Sequence, residues 1–384
     1  MLTEGKARIE VETPDTVSKN MEVFYNPVMK FNRTFSIHLL NILNKENMKL
    51  ALPLAGSGIR GIRFLKELDK NKINKLYMND LSEDAVKKIQ YHIKINKINE
   101  INNFTNSKEE IEITNHEANV FLNKYKYFDY IDVDPFGSPN PFLDQSIKSL
   151  RRDAILAVTA TDTAPLCGTY KNACKRKYWA NPLRNELMHE IGLRILIRKV
   201  QLIGSQFDKA LIPIVSISKD HYFRIFFINN QGKKKVDELL KEHGIISYEN
   251  MNIIINPNNI NNSIGPIWLG KLHQYDIINN LNKDFEKYGY SNSENRLINL
   301  LVNEAKFEKL ISNEKNHSIG FFDLHILAKN NKIPIPKKKT LEEFLINNKI
   351  FFSWSHTNPN GIKVNLSLNE FLETIKEINI KNNK

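Results

Sequence analysis

Between about residues 49 and 228 the chain alternates short apolar runs with segments of helical period, and this restricts the fold more than any other feature. The runs are Leu50–Leu54, Lys75–Met78, Ile111–Thr114, Tyr130–Val133, Ile155–Val158, Leu211–Ser218 and Tyr222–Ile228. Helical stretches between them include Ile59–Leu68 and Glu83–Ile95. The second places Val86, Ile89 and Ile93 on one face, with Ser82 as its N-cap. Strands that alternate with helices form βαβ units and a mostly parallel sheet. Only Lys219-Asp220-His221 separates the last two runs, too few residues for a helical crossover. Those two must pair as a hairpin, so the sheet is expected to carry a reversed edge strand.

Outside this region the pattern changes. Residues 1–48 precede the first core strand and read as an appended N-terminal segment. Beyond about 270, Leu281–Leu310 and Phe321–Lys329 are helical in period, Pro334 and Pro336 break the chain, and Thr340–Asn347 reads as a further helix. Ile350–Trp354 and Ile362–Asn365 flank a turn-rich Thr357–Gly361 and predict a β-ribbon. Helix, helix, ribbon is the order of a winged-helix-like module. The expected division is therefore 1–270, an α/β domain, and 271–384, a smaller α+β domain. Lys and Arg number 55 against 43 Asp and Glu, and both parts are net positive, which favours a polyanionic partner, nucleic acid before membrane. Two cysteines, Cys167 and Cys174, exclude a disulfide scaffold and a four-cysteine zinc site. With no uninterrupted apolar stretch of about 20 residues and no basic-then-apolar leader, the chain reads as a soluble cytoplasmic protein, with no obligate protein partner and a monomer expected.

One half of a site follows the first core strand. Gly56-Ser57-Gly58-Ile59-Arg60-Gly61 is a G-x-G-x-x-G that opens a helix, where glycines let the backbone approach a ligand facing the helix N-terminus. Asp80 closes the next strand 22 residues after Gly58, where an acid can accept ribose hydroxyls. A nicotinamide dinucleotide and S-adenosylmethionine both fit this pattern. The hairpin at the end of the sheet tips the choice to S-adenosylmethionine. After the third strand, Glu117 and its neighbour Ala118 lie at the same carboxyl edge and can meet the adenine side of the nucleoside.

The other half is Tyr130-Ile131-Asp132-Val133-Asp134-Pro135-Phe136-Gly137-Ser138-Pro139, an apolar strand that ends in a carboxylate, a rigid turn and an aromatic ring. This suits methylation of an exocyclic amine, a poor nucleophile because its lone pair is delocalised into the base. A carboxylate accepting one N–H raises electron density on nitrogen and can take the proton during transfer. A ring stacked on the base aligns nitrogen, methyl and sulfur, usually after the base has left its stack. Strand alternation puts Asp132 and Asp134 on the same side and cannot choose between them; the Pro-Phe turn favours Asp134.

Several blocks together resemble the tRNA (guanine-26) N2-dimethyltransferase family. They are Val23–Arg33 (VFYNPVMKFNR), Gly58–Phe64 (GIRGIRF), Asp132–Pro139 (DVDPFGSP), Thr159–Gly168 (TATDTAPLCG), Asp220–Arg224 (DHYFR) and Gly265–Gly270 (GPIWLG). The resemblance runs from about residue 4 to the end. It implies a class I, Rossmann-like methyltransferase fold with a C-terminal tRNA-contacting domain, and two methyl transfers from S-adenosylmethionine to N2 of guanosine 26. It further implies that Arg33, Gly56, Arg63, Asp80, Glu117 and Ala118 line the cofactor pocket, with Arg60 an equally close alternative to Arg63. Asp134 becomes the catalytic acid/base, and Phe24 and Phe136 hold the guanine. Some members carry a zinc-binding cysteine cluster, which this chain lacks; no metal site is expected.

For contacts with RNA the sequence offers Lys175-Arg176-Lys177-Tyr178-Trp179, followed by Arg184, Arg194, Arg198 and Lys199, and a second cationic run at Lys337-Lys338-Lys339. Cations neutralise phosphates and rings stack on exposed bases. His189-Glu190 follows no metal-ligand spacing and receives no role.

Overall fold

The computed structural model describes residues 1–11, 25–98, 110–258, 263–311 and 319–382. Strands β1 (Leu2–Glu4) and β2 (Ala7–Ile9) form a small antiparallel hairpin, and helix α1 (Lys30–Ile42) follows. The main sheet is built from β3 (Met48–Leu52), β4 (Ile73–Asn79), β5 (Glu110–Thr114), β6 (Phe128–Val133), β7 (Leu150–Ala160), β8 (Lys209–Lys219) and β9 (Tyr222–Gln231). Its order is β5-β4-β3-β6-β7-β9-β8. Strands β3 to β7 pair in parallel, and β9 runs antiparallel to both β7 and β8. The reversed strand of the hairpin therefore lies one place in from the edge, because β9 inserts between β7 and its own partner. Asp220 takes the left-handed conformation, φ 49°, in the tight turn between them.

Both faces of this sheet are covered, as a parallel sheet requires. Successive residues feed opposite faces. Ile131, Phe227 and Leu156 join one buried cluster with Phe121, Leu143 and Ile191, while Tyr130, Phe226 and Leu50 join the other with Phe35, Ile62 and Ile89. Helix α2 (Ile59–Glu67) starts at the glycine turn, and α3 (Glu83–Ile95) begins where Ser82 Oγ accepts the Ala85 N–H. Acidic Glu83 and Asp84 in its first turn and His92 and Lys94 in its last complement the helix dipole. Further on come α4 (Ala118–Tyr125) and α5 (Met188–Ser205).

The N-terminal segment is part of this body rather than an appendage. Helix α1 buries Phe31, Phe35, Leu39 and Leu40 in the second cluster, and the β1–β2 hairpin closes over α2. Strands β10 (His243–Glu249), β11 (Asn252–Ile255) and β12 (Ile264–Trp268) form a separate antiparallel sheet. Helix α6 (Asn292–Leu310), capped by a Ser291–Glu294 capping box, packs Ile298, Leu301 and Ala305 into the second cluster. The expected helix Leu281–Leu310 thus begins eleven residues later, at Asn292, after short turns. From residue 319 a third cluster forms under β13 (Phe322–Asp323), α7 (Leu324–Asn331), α8 (Lys338–Asn347), β14 (Phe352–Trp354), β15 (Gly361–Val364) and α9 (Leu368–Asn382). The ribbon pairs antiparallel, and β13 adds to its second strand, so the helix, helix, ribbon order is present. No helix among the described residues is long and apolar enough to cross a membrane.

Candidate active site

The carboxyl ends of β3, β6 and β7, the start of β9 and the start of α1 surround one cavity of about 440 Å³. That lies within the roughly 300–1,000 Å³ typical of small-ligand sites. Its wall on the β3 side is the glycine turn: Ala55, Gly56, Ser57 and Arg60. On the other side stand Asp134, Pro135, Phe136, Thr161, Asp162, His221 and Tyr222, with Asn26, Val28 and Arg33 from the N-terminal segment. Two observations hold the turn after β6 open. The Gly137 N–H donates to Thr161 Oγ1 at 2.7 Å, and Gly137 sits at φ 96°, a conformation in which any other residue is strained. Phe136 is left 59% exposed at the mouth.

The two acids of β6 differ. Asp132 is fully buried, held bidentate by Arg224 at 2.8 and 2.7 Å, hydrogen-bonded by the Tyr130 hydroxyl and paired with Arg60 at 3.3 Å. Burial opposes its ionisation, but the Arg224 and Arg60 guanidiniums outweigh that and hold its carboxyl below the usual range. Among the described residues Asp134 is paired with Arg60, and its side chain keeps 19% of its surface open. Arg60 is fixed in turn by Ser36 Oγ at 3.0 Å and Asn32 Oδ1 at 2.9 Å, both on α1. Both carboxylates line the cavity, but they differ in what is left over: both oxygens of Asp132 are engaged by Arg224, and Asp134 shares only Oδ2 with Arg60.

The structure gathers Asp134, Phe136, Arg33 and Gly56 around the cavity; Phe24 lies outside the described residues. Four other expected residues are not among the lining. Arg63 points away into a closed network, donating to Glu4 Oε1 at 2.9 Å and to Glu67 at 2.8 Å, and Arg60 takes the place foreseen for it. Glu117 caps α4, its Oε2 accepting the Asn119 and Val120 N–H groups at 2.8 and 3.0 Å, and Ala118 is buried in the first turn that this cap stabilises. Asp80 braces the glycine turn from behind, accepting the Gly56 N–H at 2.8 Å and the Ser82 N–H at 3.0 Å. Arg33 reaches the cavity while gripped by Glu4 at 2.7 and 2.5 Å.

Two lining residues went unnoticed in the sequence. Ser57 Oγ and the Tyr222 hydroxyl are buried without a hydrogen-bond partner among the described residues, one at each end of the cavity. Burial, reinforced by the nearby Asp220 and Asp134 charges, raises the Tyr222 phenol and keeps it a donor. Orphaned buried hydroxyls are costly unless a ligand supplies the partner. Together with the glycine turn, they fit a ligand that is polar at both ends. Outside the cavity, Arg194 is fully buried against Glu190 and the Trp268 and Gly270 carbonyls, and Tyr178 is also buried, so neither belongs to an RNA-facing surface. Trp179 is 50% exposed, with Lys199 Nζ 3.0 Å from its ring centroid. Burial pushes the Cys167 and Cys174 thiols up to about 12, which makes them inert packing residues.

Comparison with known proteins is consistent along the whole chain. A family described as N2,N2-dimethylguanosine tRNA methyltransferase matches residues 5–376. A tRNA (guanine(26)-N(2)/guanine(27)-N(2))-dimethyltransferase of Aquifex aeolicus is 37% identical, covering 98% of this chain and 96% of its own. A tRNA (guanine(26)-N(2))-dimethyltransferase of Methanocaldococcus jannaschii is 34% identical and covers 98% of each. A solved structure of Trm1 from Pyrococcus horikoshii in complex with S-adenosyl-L-methionine superposes with a TM-score of 0.80 at 34% identity, over 97% of this chain and 99% of that one.

Proposed function

The chain belongs to the N2,N2-dimethylguanosine tRNA methyltransferase family, and we propose how its cavity carries out that family's reaction. The enzyme transfers two methyl groups from S-adenosylmethionine to the exocyclic N2 of guanosine 26 in tRNA, giving N2,N2-dimethylguanosine. Bound S-adenosylmethionine supplies an electrophilic methyl on a sulfonium. The residues present fit it: the glycine turn offers backbone N–H groups, and Ser57 Oγ lacks a partner there. In this reading Gly56, Ser57, Arg33 and Arg60 hold the cofactor, and Asp80 fixes the turn while its remaining lone pairs meet the ribose.

The observation that carries the catalytic assignment is the open carboxylate of Asp134 beside an exposed Phe136. Phe136, with Phe24 as its counterpart, stacks the extruded guanine. Asp134 accepts one N2–H, which raises electron density on nitrogen, and then takes the proton as the C–N bond forms. Arg60, paired with Asp134, keeps its carboxylate aimed between transfers. For the second transfer the monomethylated amine rotates its remaining N–H to the same oxygen. We assign tRNA contacts to Trp179, Lys175, Arg176 and Lys177 and to the C-terminal domain within 271–384, where Lys337, Lys338 and Lys339 precede α8. The test is incubation with unmodified tRNA and labelled S-adenosylmethionine, followed by nucleoside analysis. N2-methylguanosine preceding N2,N2-dimethylguanosine at position 26 is expected, and label in another nucleoside overturns the reading.

A further inference from the structure

Away from the cavity, the described residues bring together His273, Glu304 and His356, whose ligand-type atoms all lie within 4.8 Å of one another. Glu304 comes from α6, His273 from the segment after β12, and His356 from the loop of the β14–β15 ribbon. All three side chains are buried. Glu304 Oε2 bonds His356 Nδ1 and lies 3.3 Å from His273 Nε2, while Glu304 Oε1 accepts the His356 backbone N–H at 3.1 Å. Glu308, one turn on, accepts the Leu272 and His273 N–H groups, and burial raises its carboxyl.

Two acceptors for a metal and a third from a carboxylate would suit zinc by residue type alone. The far sides of the rings argue otherwise. Ser216 N–H donates to His273 Nδ1 at 3.4 Å and Ser218 N–H donates to His356 Nε2 at 3.3 Å. Those nitrogens must be unprotonated, so in the neutral rings the nitrogens facing Glu304 carry the hydrogens. A metal-bound histidine needs the reverse, with its remote N–H donating outward. The cluster is a carboxylate hydrogen-bonded by His356 Nδ1, with the Nε2 side of His273 facing it at 3.3 Å without a formed hydrogen bond.

Its placement gives it a use. Ser216 and Ser218 are on one face of β8, and the strand leads within four residues to His221 and Tyr222 in the cavity wall. The same ribbon is pinned a second time where Lys363 Nζ on β15 meets Glu190 Oε2 on α5 at 2.8 Å, both buried, with Arg194 also on Glu190. Burial opposes ionisation of Glu190, but Lys363 and Arg194 outweigh it and take the carboxyl down to about 2. We propose that His273, Glu304 and His356 form a metal-free clamp of fixed tautomers that sets the C-terminal ribbon in register with the β8–β9 turn of the active site. They are positioning residues: an RNA held by the C-terminal domain is thereby held at a fixed distance from Asp134. This use rests on the proposal above that the C-terminal domain contacts tRNA.

Nitrogen-15 NMR of the full-length protein labelled at histidine tests the clamp itself. It should find the hydrogen of His273 on Nε2 and that of His356 on Nδ1, with Nδ1 of the first and Nε2 of the second acting as acceptors. The purified protein, grown with added zinc, should carry no stoichiometric metal. His356→Asn keeps a donor towards Glu304 and loses the acceptor for Ser218. In the folded variant, checked by near-ultraviolet circular dichroism, turnover on tRNA should drop by about 10²-fold, the scale of a reacting group misplaced by an ångström, with S-adenosylmethionine affinity unchanged. Opposite tautomers, one bound metal ion per chain, or full turnover in folded His356→Asn each overturn the clamp. Replacing Lys337, Lys338 and Lys339 with Gln addresses the other premise separately. Unaltered tRNA affinity there removes the C-terminal contact but leaves the tautomers standing.

Discussion

Two clusters of buried ions flank α2, and each contains two carboxylates and two guanidiniums. Glu4, Arg33, Arg63 and Glu67 form one; Asp132, Asp134, Arg60 and Arg224 form the other. In the first, every carboxylate is saturated and the side chains are almost entirely covered, Glu4 to 2% exposure. In the second, Asp132 is held by Arg224 and Arg60, while Asp134 shares Arg60 and keeps part of its surface open. The difference teaches that net charge and residue type do not by themselves tell a structural carboxylate from one left available to a ligand. Exposure to the cavity separates the two here. A sealed network serves to fix the N-terminal segment, and breaking it is costly because it leaves uncompensated buried charge.

The largest effect separating the two should come from Asp134→Ala, with transfer reduced by about 10²–10⁴-fold and S-adenosylmethionine binding kept, read by single-turnover assay and calorimetry. Asp132→Asn should act on the fold instead. It leaves Arg224 buried with one acceptor and no counter-charge from that position and should cost about 3–5 kcal/mol in denaturant unfolding. Glu4→Gln is its counterpart in the first cluster and should destabilise comparably. Because Glu4 grips Arg33 in the cavity wall, cofactor affinity should weaken too, while the turnover number at saturating cofactor is kept. Loss of that turnover in the folded variant would erase the distinction drawn between the clusters.

A pH series sharpens the same point. Burial works against ionisation of Glu4, yet Arg33 and Arg63 take its carboxyl down to about 2. Folding therefore favours the ionised form. The stabilisation is complete above the ordinary carboxylate range and is lost as pH falls towards about 2. Acid unfolding of wild type should be steeper there than that of Glu4→Gln. Arg60→Ala and Arg63→Ala, three residues apart on α2, should part company: the first weakens cofactor binding and turnover, the second mainly stability. The smallest effect is expected from Trp179→Ala, a weakening of tRNA binding by about 1–3 kcal/mol if its exposed ring stacks on a base, measured at fixed salt.

These contrasts also mark what the sequence disclosed. The βαβ frame was legible because parallel strands buried on both faces read as apolar runs, and the hairpin because two such runs stood three residues apart. The placement of Asp134, Phe136 and Gly56 around one cavity was legible because each sits where a strand ends at the ligand-binding edge. Arg60 and Arg63 could not be told apart, since both follow the same turn and the partner that claims Arg63, Glu4, lies 59 residues earlier in the chain. Glu117 read as an adenine contact because an acid after a strand looks the same in sequence whether it faces a ligand or caps the next helix, as it does here. Arg194 and Tyr178 looked like RNA contacts until packing enclosed them, and Ser57 and Tyr222 carried no local signal: being a buried hydroxyl without a partner is a property of the assembled fold alone.

The account turns on whether Asp134 touches the amine that reacts. Rapid-quench single turnovers of wild type and Asp134→Asn, with saturating S-adenosylmethionine and unmodified tRNA, measure this most directly. The amide can still accept one N–H but cannot take up the proton, so methyl transfer should slow by orders of magnitude with both substrates bound as before. Transfer at the wild-type rate would contradict the assignment and leave the open carboxylate without a chemical part.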